Sequence, residues 1–103
     1  MPAAAPVPAT IVTGYVDNGG QPQSPNPNWN SNNTAAAGEA EVHFNAGVFV
    51  RAPQVVVTPH VPNPSNYAAS VYKVSTTGFS VWSVNLINHP ENIGFDFIAI
   101  QTN

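Results

Sequence analysis

The side chains able to do acid–base or metal chemistry are few and scattered: three histidines, His43, His60 and His89, five carboxylates, and no cysteine. Glu41 and His43 stand two apart in an alternating segment, so they share a face and could grip an ion, but no third ligand is forced near them. No metal or other cofactor is expected. In an assembly, three copies of His43 could meet on the axis, binding an ion or simply stacking. No nucleophile, base and orienting group stand at useful spacing, since Asp96 lies in mid-strand and Glu91 in a turn, so the chain reads as non-catalytic.

Recognition chemistry is better represented. Trp29 is alone in a polar stretch, where an exposed indole would offer a platform for a sugar or for a partner's aliphatic surface. The competing expectation is that it folds back and pins its loop to the body. Asn66, Tyr67, Asn88 and His89 fall at the ends of neighbouring strands and supply amides, a phenol and an imidazole. The same residues also suit plain turn chemistry. Trp82 lies on the opposite face from Phe79 and Val81, as a subunit-contact anchor or as a second-layer core residue.

Composition narrows the partners. Charged residues make up 7% of 103, against about 25% in ordinary soluble domains. Two cations, Arg51 and Lys73, cannot neutralise a phosphate backbone, which argues against nucleic acid. A surface rich in Asn, Ser, Thr and Gln suits sugar hydroxyls, and equally a crowded assembly in which charges would be costly to desolvate. No run approaches a membrane span of about 20 apolar residues. The N-terminal Met1–Pro8 has neither the basic nor the apolar region of a signal peptide. A virion or extracellular surface, reached without a signal peptide, fits this profile, as for a phage protein released by lysis.

The positioning elements are strands. Residues 1–9 form a Pro/Ala-rich arm, extended like polyproline, and 10–103 form one domain. Strands are predicted over 11–16, 41–45, 54–60, 67–74, 79–87 and 93–101. Gln21–Asn33, with three prolines, is predicted as a long surface loop, and Pro59 marks the third strand as frayed or at an edge. Ser75-Thr76-Thr77-Gly78 closes a hairpin between two alternating strands. Six short strands without a helical period predict an all-β, six-stranded antiparallel β-sandwich. Its expected core is Tyr15, Val42, Phe44, Val55, Val57, Val71, Phe79, Val81, Phe95 and Phe97. Ile98 and Ile100, opposite Phe97 and Ala99, make the last strand apolar on both faces. An oligomer is therefore expected, with His43, Trp82, Ile98 and Ile100 at its contacts.

The order of these segments resembles the H-type lectin domain, the fold of snail agglutinins and of the discoidin C-terminal domain. The resemblance is carried by Val42-His43-Phe44, Ala52-Pro53-Gln54-Val55-Val56-Val57, the run Val71–Phe79 and Phe97-Ile98-Ala99-Ile100. Thr13–Asp17 looks like the family's first strand. The resemblance implies a homotrimer with sugar sites between subunits at one end, and no catalysis. The family's aromatic–His pair falls on Leu86 and Ile87 without gaps, or on Asn88 and His89 with two residues inserted; its arginine falls on Asn66. Two functions follow as expectations: a carbohydrate-binding adhesion module on a particle surface, or a trimeric structural decoration or fibre protein of a virion that contacts other virion proteins and no sugar.

Overall fold

The computed structural model describes residues 9–23, 28–63 and 66–102; residues 1–8 of the expected 1–9 arm lie outside them, as do residues 24–27 of the expected loop, while Ala9 already belongs to a strand. The described chain is all β: β1 (Ala9–Val16), β2 (Trp29–Asn33), β3 (Glu39–Phe44), β4 (Gln54–Pro59), β5 (Tyr67–Ser75), β6 (Gly78–Asn85) and β7 (Phe95–Thr102). They form a three-stranded sheet ordered β1-β7-β4 and a four-stranded sheet ordered β2-β3-β6-β5. All named pairings are antiparallel.

Strand alternation dictates how the two sheets meet. From the three-stranded sheet Val12, Val16, Phe95, Phe97 and Ala99 point inward; from the four-stranded sheet come Trp29, Ala40, Val42, Phe44, Phe79 and Val81. Aromatic rings stitch the layers: Phe97 stands edge-on to both Trp29 (5.0 Å between centroids) and Phe79 (5.2 Å). Burying such rings contributes about 2–3 kcal/mol each. Phe49, from the β3–β4 connection, caps this cluster against Phe44 at 4.7 Å. The same connection is tied down by buried Gln101, whose Oε1 accepts from the backbone N–H groups of Val50 and Arg51.

Several expectations need correcting. Among the described residues there are seven strands, not six, because the Asn-rich stretch after residue 28 pairs with β3 as an edge strand, Trp29 opposite Phe44 and Ser31 opposite Val42. Trp29 is only 3% exposed, so its ring is a core element and not a free platform. The first strand turns the other way from the reading that put Tyr15 inside. Gly14 faces inward instead, because the Trp29 ring takes the space a side chain would need; a Cβ there would lie 2.2 Å from Trp29 Cζ2. Tyr15 is half-buried and stacks on His60 at 3.9 Å. Val55, Val57 and Val71 pack against the core while staying partly exposed. The edge position read from Pro59 holds: β4 pairs with β7 alone within its sheet.

The hairpin read from Ser75–Gly78 is present, with a bulge between Tyr72 and Ser75. Gly78 is needed there for close approach: a Cβ would sit 2.1 Å from the Val42 carbonyl oxygen.

Candidate functional site

Three turns lie near one end of the fold, and the first two are closed by an Asx side chain. Asp17 closes the first, its Oδ1 accepting from the N–H groups of Gly19 and Gln21 at 2.9 Å. Asn85 closes the second, its Oδ1 accepting from Ile87 and His89 N–H at 3.1 Å. Asn88 in that turn has a φ of 62°, a left-handed conformation that asparagine tolerates. In the third, Asn66 N–H donates to the Asn63 carbonyl (3.0 Å) just before β5 begins.

The first and third turns, with the segment 91–93 that follows the second, enclose a cleft of about 360 Å³ whose polar lining is Asn18, Asn63, Asn66, Asn92, Tyr67 and Glu91, with Val61, Pro62 and Ile93 as its apolar part. A second depression of about 260 Å³ shares Asn66, Tyr67 and Glu91 and adds Asn85, Leu86 and Ile87. Tyr67 and Glu91 are hydrogen-bonded, and that bond with the neighbouring carboxylate charge raises the phenol above the ordinary tyrosine range. The phenol proton is thus committed to Glu91. Asn85 Nδ2 also donates to Glu91 Oε1 at 3.3 Å, which fixes the carboxylate from a second side.

Of the residues expected here, Asn66 and Tyr67 come together. Asn88 and His89 are exposed on the adjoining 85–89 turn and line neither depression. Trp29 is in the core. Asn18, Asn63, Glu91 and Asn92 were legible only as turn residues, because nothing in a local Asn-Gly or Pro-Asn-Pro pattern says that the first and third turns converge with residues 91–93.

The expected contact residues divide between two outer surfaces. Ile98 and Ile100 lie on the outside of the three-stranded sheet, in register with Ile11, Thr13, Gln54 and Val56. His43 and Trp82 lie on the outside of the four-stranded sheet, so they do not join one patch with the isoleucines. Alternation within a strand assigns faces but not sheets, which is why the sequence merged them.

The two surfaces differ in chemistry. The first leaves Ile11 (59%), Val56 (64%) and Ile98 (43%) exposed among Thr13, Gln54 and Thr58, and at its end His60 Nδ1–H donates to Asp96 at 3.0 Å. The second is a hydrogen-bonded net. His43 Nε2–H donates to Asn32 Oδ1 (2.6 Å), Asn32 Nδ2 donates to Glu41 Oε1 (3.3 Å), and Glu39 accepts from Thr34 (2.7 Å) and from the Tyr72 hydroxyl. Glu41 and His43 come within 3.7 Å, yet among the described residues no three His, Asp or Glu side chains converge on a point.

Comparison of the chain with protein-family models, with curated proteins and with solved structures finds no match.

Proposed function

We propose that the protein is a non-catalytic carbohydrate-binding module of the H-type-lectin-like kind, displayed on a particle surface such as that of a phage. The observation that carries this reading is the end cleft. Four asparagines offer paired donors and acceptors, Glu91 and the Tyr67 hydroxyl oxygen accept, while Val61, Pro62 and Ile93 supply an apolar wall. Neutral amides beside a small apolar patch suit a polyhydroxylated, uncharged ligand, whose hydroxyls are donors and acceptors at once. An anionic ligand would face Glu91 with neither Arg51 nor Lys73 in the lining.

The apolar outside of the three-stranded sheet is the subunit contact in this reading, and a homotrimer is the assembly. Weak single sites would then gain strength by multivalency. A glycan array tests the proposal: saturable binding that Asn66→Ala abolishes is the expected result.

The second reading, a structural decoration or fibre protein of a virion, draws on the same apolar surface, which would contact other virion proteins as readily as copies of itself. A blank array together with tight attachment to particles would favour it.

A further inference from the structure

The outside of the four-stranded sheet carries an arrangement that the end cleft does not use. Trp82 stands in mid-strand with 37% of its surface exposed, flanked in register by Glu39 on β3 and Ser70 on β5. The short Ser70 beside it, and Ala68 opposite Val84 in the next row, leave the indole open on that side, while toward Gly78 the Tyr72 side chain reaches across buried Ser80 to hydrogen-bond Glu39. Four residues along β6, or roughly 13 Å, Gly78 leaves a gap in the same face. There Glu41, His43, Lys73, Ser75 and Thr77 line a polar notch of about 190 Å³.

We infer that this face is a second binding surface, for a neutral oligosaccharide laid from the Trp82 indole over the Tyr72 ring to the notch at Gly78. An indole accepts the apolar face of a pyranose. The acceptors and donors near it are already ordered by their mutual hydrogen bonds, so little side-chain freedom is lost on binding. A protein partner would have to strip water from Glu39 and Glu41, with Lys73 the one cationic side chain lining the notch, and such desolvation is costly. A hydrated sugar chain leaves those carboxylates wet. Anionic ligands are disfavoured by the same two charges. The separation of indole and notch selects a chain over a monosaccharide.

The ligand class rests on the reading proposed above; the location does not. The test is a ¹⁵N-correlation NMR titration of the full chain with cello-, manno- and galacto-oligosaccharides, using the two indole N–H signals as reporters. Saturable movement of the Trp82 indole and Asn32 amide, with the buried Trp29 indole still, is the expected result. Trp82→Ala should then weaken binding about tenfold, while Asn66→Ala leaves the Trp82 response intact. Shifts confined to Asn66 and Asn92 overturn this inference and keep the end cleft; no shift anywhere overturns both. A Trp82 signal that follows protein concentration and not sugar shows a second copy on the face, and also overturns it.

Discussion

The two outward surfaces have the same antiparallel scaffold and opposite chemistry. Outside the three-stranded sheet, the rows Thr13–Ile98–Val56 and Ile11–Ile100–Gln54 set two aliphatic side chains beside one neutral polar group and hold no charge. Outside the four-stranded sheet, the row Asn32–Glu41–Ser80–Tyr72 is polar from edge to edge. The backbone is indifferent to this choice, because every second residue of a strand points outward whatever it is. What differs is the free energy of covering each surface. Burying the first removes apolar area from water and is favourable at about 25 cal/mol per Å²; burying the second desolvates carboxylates and amides. One side is suited to lasting contact and the other to a ligand that stays hydrated.

The two tryptophans give the sharpest way to break this contrast. Trp29→Ala should cost about 3–5 kcal/mol, since it empties a site between the sheets, and chemical denaturation would read the loss directly. Trp82→Ala should cost about 1 kcal/mol or less, as expected of a partly exposed residue. Equal losses would mean that Trp82 is also structural. Gly78→Ala comes next, at about 1–3 kcal/mol, because the new methyl meets the Val42 carbonyl; the same denaturation would show it. A neutral Gly78→Ala would mean that the hairpin sits farther from β3 and that no notch exists.

The smallest effect is at Tyr67. Its phenol is raised by Glu91, so the folded state holds that proton more tightly than the unfolded chain. Any stability this contributes is present below the unfolded tyrosine value of about 10 and is lost as pH rises through the folded value. Phenolate absorbance should show a late-titrating tyrosine that Glu91→Gln returns toward normal. An unchanged titration curve in that variant would separate Tyr67 from Glu91 and dissolve the cleft's polar centre.

Much of the frame was legible because alternation was clean. Val42/Phe44 against Glu41/His43, and Phe95/Phe97/Ala99 against Asp96/Ile98/Ile100, gave the correct faces. β2 escaped because Asn and Ser are poor strand formers; an edge strand tolerates them when its inward positions, here Trp29 and Ser31, are covered. The face of β1 runs opposite to the expectation that placed Tyr15 in the core, and Trp29's position explains why Gly14 faces in. Phe49 was hidden in a connection. The end cleft was half legible: strand ends pointed to Asn66 and Tyr67, but the convergence of the Asp17 and Asn63 turns with residues 91–93 is a product of topology.

The division between the two surfaces is tested most directly by sedimentation equilibrium at micromolar concentration. The account predicts a wild-type mass about three times the 10.8 kDa of one chain, reduced to one chain by Ile98→Glu and unchanged by Trp82→Ala. A single-chain mass for the wild type, or an assembly that Trp82→Ala dissolves and Ile98→Glu leaves intact, would contradict it.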